Sequence, residues 1–158
     1  MYYNENTFVY FNGKIVKAGE AKIDLYSQTL HYGYGVFEGI RSYKTAAATT
    51  KIFKEAEHFQ RLKNSAEALN LPYPWSADEL IKASYEVLSL NNLQDAYIRP
   101  LVYAPANMAF HVNKESFIVI ETWEMPLFLG EKLLLCAISQ RADSAGISKI
   151  MLAQVWLP

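Results

Sequence analysis

At 158 residues the chain has room for one ordinary domain, or for a small domain and the start of another. Hydrophobic residues make up 51% and aromatics 14%, enough to bury a core, which excludes a disordered polar chain. The 15 basic and 16 acidic residues leave a formal net charge of −1, which excludes nucleic acid or an anionic membrane as the main partner.

In chain order, Met1 to Asn6 is polar and lacks the basic-then-apolar pattern of a secretory signal. Thr7–Phe11 and Lys14–Val16 flank Asn12-Gly13, a pair suited to a hairpin turn because both turn positions need positive φ. Val36–Tyr43 and Lys51–Phe53 read as a second strand pair, joined through Ala46–Thr50. Phe59, Leu62, Ala66 and Leu69 then share one face of a helix over Glu55–Asn70. Ser76 and Glu79 form a capping box, and Trp75 and Leu80 a hydrophobic staple, for a helix over 76–91. Leu80, Ile81, Tyr85 and Leu88 supply its apolar side, and Asn91-Asn92 ends it.

Ala96–Ala104, Ser116–Trp123 and Lys132–Ser139 follow as strands. Pro126 and Gly130 mark a linker and a domain boundary near residue 128. The order strands, helices, strands predicts an α+β domain over 1–127 with a mainly antiparallel sheet. A single cysteine, Cys136, in an apolar run makes no disulfide framework and fits a reducing, cytoplasmic setting. No apolar run approaches the ~20 residues of a membrane helix.

Three segments can carry chemistry. Leu30 to Arg41 holds three glycines, Gly33, Gly35 and Gly39, with Tyr32, Phe37 and Arg41 as a hydroxyl, an apolar wall and a fixed cation. Read plainly, it is a Gly-containing turn entering a strand. Arg61 borders the buried face of its helix, where a guanidinium can grip a phosphate or merely cover apolar atoms with its stem. Arg99 lies inside an apolar strand, so it must pair or face a cavity. Tyr97, two residues before it, shares its sheet face and would join it around a carboxylate; an ion pair to a neighbouring acid is the alternative. His31, His58 and His111 are isolated and lack metal-ligand spacing. No nucleophile elbow, phosphate loop or dinucleotide fingerprint occurs.

Taken together, His31-Tyr32-Gly33, Val36 to Arg41, Glu57 to Leu62 and Ala96 to Leu101, with the Phe11-Asn12-Gly13 hairpin, resemble the fold-type IV pyridoxal-phosphate aminotransferases, the branched-chain enzymes in particular. The likeness is collinear from about residue 7 to 140. It implies the small N-terminal domain of the D-amino acid aminotransferase-like fold, and amino transfer between leucine, isoleucine or valine and 2-oxoglutarate on pyridoxal 5'-phosphate. The cofactor then carries the chemistry and the protein orients it. By the same resemblance Arg61 binds the cofactor phosphate and Tyr97 the α-carboxylate. Arg99 receives the distal carboxylate of glutamate. Tyr32, Phe37 and Arg41 belong to the substrate site, with Tyr32 reaching the partner subunit of a homodimer. Residues 107–112 occupy the family's dimer-contact loop.

The family's lysine, which forms a Schiff base and shuttles the α-proton, lies early in its second domain. Lys149 is the only lysine after Lys132, but it arrives early and no Gly or Tyr follows it. Residues 128–158 are therefore expected to be a linker and an incomplete start of the large cofactor-binding domain, from a truncated or frame-shifted frame. The chain as it stands is expected to be inactive. Two alternatives stay open: a non-catalytic domain acting in dimerisation or partner binding, and another class IV aminotransferase or lyase.

Overall fold

Residues 2–109 and 113–125 are described in a computed structural model of the chain. They fall in one of two compact units into which it divides, Met1–Pro126. β1 (Phe8–Phe11) and β2 (Lys14–Lys17) form the expected hairpin. Asn12 and Gly13 both take positive φ, 49° and 89°, the turn geometry whose twist matches the flanking strands.

Between residues 18 and 32 the periodicity predicts no element, yet a 3-10 turn (Ala18–Glu20) and a short helix α1 (Gln28–Tyr32) form there. Ser27 caps α1 by accepting from the Thr29 N–H, and Gly33 ends it at φ 66°.

The single strand expected over Val36–Tyr43 is two: β3 (Gly35–Phe37) and β4 (Ile40–Lys44). Both pair antiparallel with β6 (Ala96–Tyr103) in one continuous register, from Gly35↔Tyr103 to Ser42↔Ala96. The break falls opposite Pro100, where the Glu38 N–H donates to the Pro100 carbonyl (3.0 Å). Proline has no N–H to return the second bond, so the ladder lapses there. β5 (Thr50–Ile52) pairs with β4, and β7 (Phe117–Glu124) with β6 along its whole length. The sheet runs β2-β1-β7-β6-β4-β5, with β3 also on β6, and all its pairings are antiparallel.

α2 (Glu55–Ala68) and α3 (Ala77–Leu90) bury their apolar stripes with the sheet's alternate residues, Phe59 and Leu80 against Ile40, Ile98, Ile118 and Ile120. Full burial of each such side chain contributes about 1.5–3 kcal/mol. Leu69, expected on the buried stripe, is 40% exposed because α2 ends at Ala68; Leu71, beyond the left-handed Asn70, enters the core instead. Half of the capping box at α3 forms. Ser76 accepts from the Glu79 N–H, but the Glu79 carboxylate accepts from the Tyr10 hydroxyl (2.8 Å) and ties the helix to β1. Among the described residues no helix is long and apolar enough to cross a membrane. The strand expected at Lys132–Ser139, the boundary near 128 and the segment 128–158 lie outside the described residues.

Candidate active site

Alternation along β6 sends Ile98, Pro100 and Val102 toward the helices and Tyr97, Arg99 and Leu101 to the other face. Register brings Phe37 opposite Leu101 and Arg41 opposite Tyr97, so the residues expected around a substrate share that face. Gly39 lies between Phe37 and Arg41, and a Cβ there would strike the Tyr97 hydroxyl. Its missing side chain is what lets the phenol lie across the strand.

The Arg99 guanidinium lies 4.2 Å from the Phe37 ring centroid, 5.1 Å from that of Tyr97 and 6.0 Å from that of Trp123. Tyr97 and Trp123 pack at 4.8 Å. One guanidinium nitrogen, Nη2, donates to the Tyr97 hydroxyl (2.8 Å), while Nε is buried with no acceptor. A buried orphan donor on a fixed cation is costly unless an anion meets it. Glu121 stands directly opposite Arg99 on β7, yet the two form no ion pair. Burial pushes the Glu121 carboxyl above the usual range, and Arg99 offsets part of that.

Arg61 is held on the helical side. Its Nε and Nη2 grip the two oxygens of Glu38, each at 2.6 Å. His58 Nδ1 lies 3.0 Å from Glu38 and 3.2 Å from Arg61 Nη2. Glu38 is 5% exposed, at the break between β3 and β4. Burial pushes its carboxyl up, but the hydrogen bonds from Arg61 and His58 outweigh this and hold it below the usual value. The bond to Glu38 likewise raises the Arg61 pKa. Arg61 is therefore not a bare surface arginine, and His58 is not isolated. The Arg61 side chain is still 39% exposed and keeps Nη1 unengaged, so it can meet one more anion.

Arg41 shares the Tyr97 face but turns its guanidinium toward the Tyr43 ring, 5.6 Å away. Tyr32, at the end of α1, is 47% exposed beside His31. Thus Phe37, Tyr97 and Arg99 are in contact, Arg41 adjoins them by register, Arg61 joins Glu38, and Tyr32 lies on α1. Lys149 and residues 110–112 lie outside the described residues. Sequence reasoning missed Glu38, His58, Glu121 and Trp123. The signal for Glu38 was available: an acid at the parity of Val36 and Ile40, which face the core. Among the described residues no group of three or more His, Cys, Asp or Glu is placed to hold a metal.

The amino-transferase class IV family model matches residues 35–150. The branched-chain-amino-acid aminotransferase of Pseudomonas aeruginosa is 36% identical over 138 residues, 86% of this chain and 45% of that protein. The crystal structure of the Escherichia coli branched-chain amino acid aminotransferase superposes with a TM-score of 0.74 at 35% identity, covering 80% of this chain and 42% of that one. That of the branched-chain aminotransferase from the thermophilic archaeon Thermoproteus uzoniensis, with norvaline, gives 0.71 at 32%, covering 76% and 41%. A further branched-chain amino acid aminotransferase, complexed with N-(5'-phosphopyridoxyl)-L-glutamate, gives 0.70 at 38%, again covering 76% and 41%. The chain thus spans less than half the length of these relatives.

Proposed function

The chain belongs to the amino-transferase class IV family, and on that premise we propose that it serves amino transfer between branched-chain amino acids and 2-oxoglutarate on pyridoxal 5'-phosphate in the cytoplasm. The observation that carries this reading is Arg99, a cation with an orphan donor in a box of aromatic rings. Such a pocket offers apolar walls to a leucine-like side chain and one charge to the distal carboxylate of glutamate.

The residues present fit the cofactor at one point. The free Nη1 edge of Arg61 suits a phosphate oxygen, and the Glu38 clamp keeps that edge fixed. Bound pyridoxal phosphate supplies the electron sink for breaking the Cα–H bond. Tyr97 accepts from Arg99, which leaves its own proton free to be donated to the substrate α-carboxylate. Phe37 walls the side-chain pocket with Arg41 at its margin, Tyr32 reaches into the partner subunit's pocket, and Lys149 is the proposed catalytic lysine. The relative complexed with N-(5'-phosphopyridoxyl)-L-glutamate holds a phosphate and a glutamate in one ligand, which supports a phosphate site and a carboxylate site working together.

The test is glutamate formation by the protein from leucine and 2-oxoglutarate, beside quenching of tryptophan fluorescence by pyridoxal phosphate. Quenching together with leucine turnover is expected. Quenching without turnover of leucine, isoleucine or valine would move the protein to another branch of the family. Neither signal would leave a domain that only assembles or binds a partner.

A further inference from the structure

The residue opposite Arg99 is an acid that the substrate reading does not use. Directly opposed residues of an antiparallel pair hold their Cβ atoms about 4.5–5.5 Å apart on one face, so the Arg99 and Glu121 side chains can meet by rotation about their own bonds. In this structure they do not: the guanidinium lies over Phe37 and donates to Tyr97 instead, and its Nε is left without an acceptor. Arg99 therefore has two carboxylates that can complete it, one on the protein and one that a ligand would bring.

We propose that Glu121 is a specificity-determining residue, an internal carboxylate that exchanges with the distal carboxylate of the substrate for Arg99. This rests on the reading of Arg99 as the dicarboxylate-binding cation. When an apolar side chain occupies the pocket, Glu121 neutralises Arg99 and lowers the cost of placing hydrocarbon beside a cation. A dicarboxylate displaces Glu121 into solvent, which its position on the exposed side of β7 permits. One pocket then accepts two chemically unlike ligands, at the cost of weakened binding for the charged one. Burial pushes the Glu121 carboxyl up while the charge on Arg99 pulls it down, so the two groups already act on each other across the strands.

The test uses the protein with pyridoxal phosphate, and glutarate and 4-methylpentanoate as probes for the charged and apolar side chains. Dissociation constants come from calorimetry, and leucine and glutamate half-reaction rates accompany them. Glu121→Gln removes the charge at constant shape, and Glu121→Ala removes the side chain; thermal melts confirm that each is folded. Both variants should bind glutarate more tightly and 4-methylpentanoate less tightly, changing the ratio by roughly 3- to 10-fold, the worth of a cross-strand charge pair acting in opposite senses on the two ligands. Parallel losses for both probes would make Glu121 a structural residue and overturn the proposal, as would an unchanged ratio. Failure of the unmodified protein to bind or turn over either class would instead sink the substrate reading itself, and this proposal with it.

Discussion

Arg99 and Arg61 are both arginines on well-packed elements, but their surroundings assign them different work. Arg99 has an orphan donor, whereas two of the Arg61 nitrogens are already committed to Glu38. Arg99→Ala should cost glutamate one charged hydrogen bond, about 1.5–3 kcal/mol, hence roughly 10- to 100-fold in kcat/KM. Leucine should change far less, and half-reaction rates with the two amino acids decide; equal losses would mark Arg99 as structural. Arg61→Ala should weaken cofactor binding for every substrate, read as the pyridoxal phosphate concentration giving half-maximal fluorescence quenching. Glu38 has a pH signature. Its folded pKa lies below its unfolded value, so its stabilising contribution is complete above the ordinary glutamate value of about 4.5 and is lost as pH falls through the folded value. Glu38→Gln should lower the melting temperature near neutral pH and flatten the loss of stability on acidification. An acid limb unchanged in Glu38→Gln would detach the pair from stability.

Elements with a strong local code were legible in the sequence. Asn12-Gly13 announced a hairpin because few other residues take two consecutive positive φ angles, and Ser76 announced the start of α3 through its cap. The antiparallel strands after residue 96 and the shared face of Tyr97 and Arg99 followed from alternation alone. What stayed hidden depends on partners distant in sequence. The break between β3 and β4 is set by Pro100, far downstream, and the Glu38–Arg61 clamp joins a strand break to a helix. No periodicity encodes α1, which lives on its cap and a glycine.

Asn91 is another such long-range tie. At the end of α3 its amide accepts from the Phe8 N–H (2.8 Å) and donates to the Phe8 carbonyl (2.8 Å) and the Thr122 hydroxyl (3.0 Å), standing in for a neighbouring strand. Asn91→Ala should cost about 1–3 kcal/mol, because it strands both backbone groups of Phe8. Urea unfolding with an unchanged m-value measures this. A loss within a few tenths of a kcal/mol would mean water replaces the amide.

For the molecule as a whole, exposed apolar side chains gather on two segments that touch. Leu25, Tyr26, Leu30 and Tyr32 are 47–78% exposed, and Met108 is 42% exposed. The Ser27↔Ala106 bridge and the Asn107 N–H to the Tyr26 carbonyl hold the two segments together. Such a patch fits an isologous contact, and the proposed homodimer would bury it. Light scattering at tens of micromolar should give twice the protomer mass, and Leu30→Glu should halve it; a monomer before substitution counts against the dimer. The lapse opposite Pro100 reaches across the same molecule in a different way. Glu38 and Pro100 form a pair that would normally exchange two bonds; one is made, and the Glu38 carbonyl keeps no ladder donor. The Glu38 N–H pins the Phe37–Glu38 peptide plane to the sheet, whereas the next plane, Glu38–Gly39, has no ladder bond at its carbonyl and can rock. Phe37 on one side of it faces the aromatic box, and Glu38 faces Arg61 on the other. Tilting this plane would couple the aromatic box on one face of the sheet to the Arg61 clamp on the other, a microsecond-to-millisecond motion that relaxation dispersion on the amide nitrogens of residues 37–40 would register.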